Sequence, residues 1–179
     1  KAANPMPVLL AFLQQLTSWH LDDGAPGFQP SNLEVTSVDV GNTAHNVIPA
    51  KAEAKFNIRF NTHHDGQSLK DEISRIAARC ESEGTRLDLD LRVTGESFYT
   101  PPGRLTDILI EASKEVTGQT PALTTGGGTS DARFIKDYCA VAELGLKNDM
   151  AHKVDEFTEV SELEALADIY TGVLARYFA

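Results

Sequence analysis

Between residues 52 and 93 the apolar residues recur at every second position, then at every third or fourth, then again at every second. In "AEAKFNIRF" Ala52, Ala54, Phe56, Ile58 and Phe60 fall on one side and Glu53, Lys55, Asn57 and Arg59 on the other. That alternation predicts a strand covered on one face only. Leu69, Ile73, Ile76, Ala77 and Cys80 then form a helical stripe, opened by a capping-box variant of Ser68 with Asp71 and ended by Gly84. "RLDLDLRV" returns to period two, with Leu87, Leu89, Leu91 and Val93 inward. One-sided strands around an amphipathic helix predict a sheet with helices packed on one face.

The neighbouring segments extend this pattern. Asn4-Pro5, followed by Leu9, Phe12, Leu13 and Leu16, reads as a capped amphipathic helix that starts almost at residue 1, as expected of a chain cut from a longer one. After a turn-rich loop (residues 20–32), "LEVTSVDVG" slips phase between Val35 and Val38, which predicts a strand with a bulge. Residues 4–94 therefore read α-β-β-α-β. This is a ferredoxin-like βαββαβ sandwich lacking its first strand, which is expected just before Lys1.

"GESFYTPPG" (residues 95–103) reads as a linker stiffened by Pro101-Pro102. Beyond it the pattern predicts a helix on Leu105, Ile108, Leu109, Ala112 and Val116 ending at Gly118, and a short strand over residues 122–125. A glycine turn, a helix from about Asp131, a buried strand "AVAEL" (residues 140–144) and a final helix on Leu163, Leu166, Tyr170, Val173 and Tyr177 follow. Alternating strands and helices imply part of a parallel α/β layer. The expected division is residues 1–98 and residues 99–179, each incomplete.

The 179 residues carry 16 basic and 26 acidic side chains, a net charge of -10, which disfavours nucleic acid and anionic membrane surfaces as partners. No apolar run approaches a membrane span and nothing resembles a signal peptide, so a cytoplasmic location is expected. Cys80 and Cys139 lack metal-ligand spacing and are expected to be buried thiols.

Three glycines, Gly126, Gly127 and Gly128, stand between the predicted strand and helix, followed by Thr129 and Ser130. There the free N–H groups and the helix dipole could attract a carboxylate, although a plain tight turn accounts for the pattern equally well. His152 lies in a loop expected at the same sheet edge, with Asn148, Asp155 and Glu156 near it; a lone imidazole is more often a surface residue than a ligand. Arg59 reads first as part of a solvated charged row with Glu53 and Lys55. His45 and Asn46 are unremarkable by composition, and His63-His64-Asp65-Gly66 reads as a solvated turn. No H-E-x-x-H, C-x-x-C, G-x-S-x-G or phosphate loop is present, and no second ligand stands beside His152 at usable spacing.

Taken together, "TGGGTSDARFI", "GLKNDMAHKVDE", "GNTAHNVIPA" and "FNIRF" resemble, in order and along essentially the whole chain, the desuccinylase branch of the zinc-dependent aminoacylase and carboxypeptidase family of hydrolases. The resemblance implies a catalytic α/β domain interrupted by a ferredoxin-like lid that forms a homodimer. Residues 1–98 would be most of the lid and residues 99–179 the returning end of the catalytic domain. It also implies two zinc ions, with cobalt as the alternative metal, a glutamate base, and a small succinylated diamino acid as substrate. Carried over by position, His152 matches a zinc ligand, and Gly127, Gly128 and Thr129 the turn that holds a substrate carboxylate. Asn148 matches a substrate contact and Arg59 the lid arginine. His45 stands where relatives often carry Asn, in a segment reaching the neighbouring subunit. The remaining ligands and the base are not in this chain, so it is expected to be inactive by itself. Two alternatives stay open: a non-catalytic dimerisation module, and a related deacylase or carboxypeptidase acting on N-acyl amino acids or peptides.

Overall fold

A computed structural model describes residues 3–126, 130–147 and 149–179, and it divides the chain into two compact units, Lys1–Phe98 and Tyr99–Ala179. It is a mixed α/β structure with one small antiparallel sheet. No helix among the described residues is long and apolar enough to cross a membrane.

Unit 1 opens with α1 (Pro5–Thr17). The Asn4 side chain accepts the Met6 N–H at 3.1 Å, and Pro5, which has no N–H to leave unpaired, occupies the first turn. Strands β1 (Asn32–Asp39) and β2 (Glu53–Arg59) pair antiparallel from Asn32 opposite Arg59 to Asp39 opposite Glu53. The register shifts between Val35 and Ser37, so Thr36 is the extra residue, and the phase slip in the sequence is a bulge. Helix α2 (Gly66–Cys80) starts earlier than the Ser68–Asp71 reading predicts. Asp65 is the N-cap and accepts Ser68 N–H at 2.7 Å, while Ser68 Oγ accepts Asp65 N–H at 3.2 Å. Asp71 instead accepts from Gln67 Nε2. Both residues have capping chemistry, and the one preceding the apolar stripe by a full turn wins because Leu69 must already be helical. The helix stops at Cys80; Gly84 sits in the turn beyond it, between the bridged Ser82 and Thr85, rather than on the cap.

Phe12, Leu16, Ile73, Ile76 and Ala77 form the core of this unit, ringed by half-buried Trp19, Leu33, Phe56, Ile58, Cys80, Leu87, Leu89 and Leu91. Phe12 meets Phe56 edge-on, with ring centroids 6.3 Å apart. Residues 87–91 thus show the expected alternation, yet they form no strand: the sheet has two strands, and no ladder reaches this segment. Alternation selects which side chains point inward; a strand also needs a neighbour to bond.

A polar knot ties the loop before β1 to the turn after β2. Asp22 Oδ1 accepts N–H groups from Gly24 (2.7 Å), Ser31 (3.2 Å) and Asn61 Nδ2 (2.6 Å), and Oδ2 meets His64 Nε2 at 3.1 Å. Asn61, 2% exposed, also donates to the Gln29 carbonyl, and its N–H reaches Ser31 Oγ. Burial pushes the Asp22 carboxyl up, but the hydrogen bonds from Ser31, Asn61 and Gly24 outweigh it and hold the group well below the usual carboxylate range. The turn read as solvated is therefore partly structural: His64 faces Asp22, and His63 Nε2 lies 3.0 Å from the Gly24 carbonyl. At the start of α2, Gly66 N–H donates to both Glu96 carboxylate oxygens, and a Cβ there would lie 2.5 Å from Val93 Cγ2. Only glycine fits beneath that segment without a shift.

Unit 2 is built on α3 (Arg104–Thr117), the single-turn α4 (Ala132–Ile135) and α5 (Val160–Tyr177). Gly118 caps α3 in the left-handed region (φ 71°), as the sequence predicts. Ile108 and Ala112 pack against Ile169 and Val173, with Leu109 and Leu144 beside them. Arg176 pairs with Glu115, and Tyr170 donates to the Leu144 carbonyl. Residues 122–125 and 140–144, predicted as strands, are irregular, and no strand occurs in this unit among the described residues. Leu163, Tyr170 and Tyr177, predicted inward, are exposed, because α5 is apolar on two faces and α3 covers only the one carrying Ile169 and Val173. Cys139 is exposed and Cys80 half-buried, so the expectation of two buried thiols is corrected: Cys139 heads no buried strand and follows a surface turn.

Candidate functional site

Arg59 closes β2 on its exposed face, and the polar knot begins two residues later at Asn61. The knot anchors the strand end, so Arg59 projects from a fixed backbone. The charged row does not neutralise it: Glu53 pairs with Lys51 at 2.8 Å, and Arg59 has no ion-pair partner among the described residues. A free guanidinium on a rigid strand end suits a bidentate carboxylate contact.

His45 lies at the other end of the hairpin, exposed in the loop between β1 and β2. Asn42 shapes that loop, accepting Ala44 N–H at 3.3 Å and donating to the Val47 carbonyl at 2.8 Å. With β2 running from Glu53 beside the loop to Arg59, the two ends of the strand stand about 20 Å apart at 3.3 Å per residue. The loop that carries His45 and the Arg59 end of β2 therefore lie at opposite ends of the hairpin.

In the glycine turn, Gly126 is exposed with open space around its Cβ position, whereas Gly127, Gly128 and Thr129 lie outside the described residues, as does Asn148. On the far side of the turn, Ser130 Oγ accepts Ala132 N–H at 3.2 Å and opens α4, the first turn of the helix expected there.

His152 is exposed, and its imidazole has no hydrogen-bond partner among the described residues. Its backbone is unusual. His152 (φ 62°) and Asp155 (φ 58°) are the non-glycine residues with left-handed φ among those described, and His152 N–H donates to Glu156 Oε2 at 3.3 Å. An unpartnered imidazole on the surface is a competent zinc donor. The donor set is nevertheless one group deep: no three His, Cys, Asp or Glu side chains gather to hold a metal among the described residues, and a catalytic zinc takes three protein ligands. A zinc held through His152 needs further donors from outside these residues.

The sequence reading missed two groups. From sequence Asp22 is only one residue of the turn-rich loop 20–32; its bond to Gly24 N–H is local, but its contacts to residues 39 and 42 positions away leave no local trace. Glu156 reads from sequence only as one of several polar neighbours of His152. A surface hollow of about 260 Å³ beside the knot, lined by Trp19, His20, Asp22, Ser31 and Asn32 among others, contains none of the predicted site residues.

Residues 1–85 match the family model described as the peptidase dimerisation domain. Along its length the chain is similar to proteins named succinyl-diaminopimelate desuccinylase: 54% identical over 179 residues to that of Maricaulis maris, covering 99% of this chain and 46% of the relative. Identity is 52% over 183 residues to that of Rhodopseudomonas palustris strain TIE-1 (100% and 46%), and 48% over 183 residues to that of Caulobacter vibrioides (100% and 47%). The chain spans about half the length of the curated relatives it matches.

Proposed function

We propose, from the match of residues 1–85 to the peptidase dimerisation domain, that this chain is the dimerising and substrate-gripping part of a metal-dependent amide hydrolase that removes succinate from N-succinyl-diaminopimelate. The observation that carries the reading is the chain-long identity, near half, to proteins named as desuccinylases. Because it continues past residue 85 through the second unit, it is more than a likeness between dimerisation domains.

In this reading unit 1 is a ferredoxin-like lid and unit 2 the returning end of a catalytic α/β domain. α1, β1, β2, α2 and residues 86–93 are the last five elements of a βαββαβ sandwich. In a split βαβ unit a further strand separates the last two, which accounts for inward alternation without a ladder to β2. The lid forms a homodimer, and His45, exposed at the hairpin end opposite Arg59, acts across the two-fold at the neighbouring subunit's substrate. The same reading puts the enzyme in the cytoplasm, where it acts in lysine and diaminopimelate biosynthesis.

A bound metal, zinc in this proposal, would be held by His152 with donors from outside this chain and would supply an activated water for amide hydrolysis. Arg59 binds a carboxylate of the substrate, the turn of Gly127, Gly128 and Thr129 is a carboxylate-binding turn, and Asn148 is a substrate contact. Carboxylate contacts of this kind orient an amide before reaction, which removes an entropic part of the barrier. By itself the chain has one metal ligand and no base, and is inactive.

Joining this chain to the remainder of the Maricaulis maris relative provides the test. The joined protein should retain zinc through dialysis and release succinate from N-succinyl-diaminopimelate, while the 179-residue chain does neither. His152→Ala should lower the metal content. A joined protein that retains zinc but hydrolyses only N-acetyl amino acids would replace this reading with the related deacylase.

A further inference from the structure

We infer that Glu156 is a positioning residue for His152: its carboxylate holds the His152 backbone in the left-handed conformation that presents the imidazole. The functional weight of this inference rests on the reading of His152 as a metal ligand; the conformational claim does not. Left-handed φ is uncommon outside glycine, and such residues persist where surrounding structure enforces them. Around His152 little does. Residues 152–161 are all exposed, Val154 at 90%, so packing does not fix the loop. Among the described residues two polar contacts act at His152: the turn in which Lys153 N–H donates to the Met150 carbonyl, and the bond from His152 N–H to Glu156 Oε2. The first closes a four-residue turn with His152 at its third position, and the second is the side-chain contact made to the His152 N–H itself.

The two left-handed residues explain how a side chain four positions later can reach that N–H outside a helix. Each turns the chain away from extended geometry, and between them Lys153 and Val154 form a short arc that returns Glu156 to His152. A right-handed or extended backbone at His152 would aim the N–H, and with it the Cα–Cβ bond, elsewhere. Glu156 thus sets the direction of the imidazole without touching it, and leaves both ring nitrogens free.

The test needs no metal and uses the 179-residue chain. A left-handed residue gives a strong intraresidue amide-to-Hα nuclear Overhauser effect, which is weak in a right-handed or extended one. The wild type should show it at His152. Glu156→Ala should lose it, and Glu156→Gln, which keeps an accepting oxygen at the same reach, should restore it while far-UV helicity stays constant in all three. A signal that persists in Glu156→Ala, or that Gln fails to restore, overturns the inference. In the joined protein, Glu156→Ala should weaken zinc binding on the order of tenfold, in the range of changes to groups that orient a ligand, with Gln near wild type. If His152→Ala leaves zinc binding unchanged, the ligand reading fails, whereas the Overhauser result still decides the role of Glu156.

Discussion

Unit 1 encloses its core with two helices, a hairpin and a half-buried third segment, whereas the described apolar core of unit 2 is a cluster of four residues between two helices and much of its apolar surface is open. Leu16 in unit 1 is fully buried, and Phe12, Ile73 and Ile76 nearly so. In unit 2, Ile108 and Val173 are each 8% exposed, while Phe134, Phe157, Val160, Leu174 and Phe178 lie on the surface. The contrast extends to the candidate site. Arg59 stands on a strand end anchored by buried Asn61 and Asp22, while His152 stands in an exposed loop held by single hydrogen bonds. A ligand contact offered from unit 1 is fixed by the fold of that unit; one offered from unit 2 depends on local backbone bonding.

The largest expected effect contrasts the two cores. Leu16→Ala should destabilise unit 1 by about 4 kcal/mol, and Ile169→Ala should destabilise unit 2 by about 2 kcal/mol, because a thinly surrounded site relaxes around the lost atoms. Trp19, the only tryptophan in the chain and packed against the first core, reports the former in urea, and far-UV helicity reports the latter. Equal losses would break the comparison.

Next comes the knot. Asp22→Asn should cost about 1–3 kcal/mol, since at least one of the donors gathered around Oδ1 and Oδ2 loses its partner in a buried site. The sign of the pH dependence follows from the lowered folded-state pKa. The stabilisation is fully present above the ordinary value of 3.8 and is lost as pH falls from there toward the lower folded value, because the unfolded chain takes up the proton first. Trp19-monitored stability should therefore fall below about pH 4 in the wild type and fall less steeply in Asp22→Asn. A parallel fall in both would assign the acid lability to other carboxylates.

Smaller still, Gly118→Ala should cost about 1 kcal/mol, the penalty of a Cβ at positive φ, read from the helical signal. At the bottom of the scale, Arg59→Lys should leave the Trp19 transition within about 0.5 kcal/mol of wild type. In the joined protein the same change should lower turnover on the order of tenfold through loss of the bidentate fork, with zinc content unchanged. Normal turnover would return Arg59 to the solvated row.

Local chemistry carried most of unit 1 in the sequence. The Asn4-Pro5 start, the bulge near Thr36, the one-sided β2 and the stripe of α2 each depend on residues within a few positions of one another, and each is present in the fold. Legibility failed wherever a second element had to decide. Residues 122–125 and 140–144 have strand composition but no ladder. Of the stripe predicted on α5, Val173 is buried while Leu163, Tyr170 and Tyr177 are exposed, because a helix apolar on two sides takes its buried face from its neighbour. Of the candidate site, Arg59 and His45 could be located on one hairpin from sequence, but not their placement at its opposite ends relative to a substrate.

By itself the sequence determined the periods, caps and turns of the chain, its acidic surface and the resemblance carried by its motifs, since all of these are properties of residue order. Tertiary structure alone decided that Asp22 would be buried among Ser31, Asn61 and His64, that Gly66 would lie under Val93 and Glu96, and that Glu156 would reach back to the N–H of a left-handed His152. The physical reason is range. Dihedral preference and alternation act over a few residues, but hydrogen-bond satisfaction and steric contact act between whichever groups the folded chain brings within about 3 Å of one another.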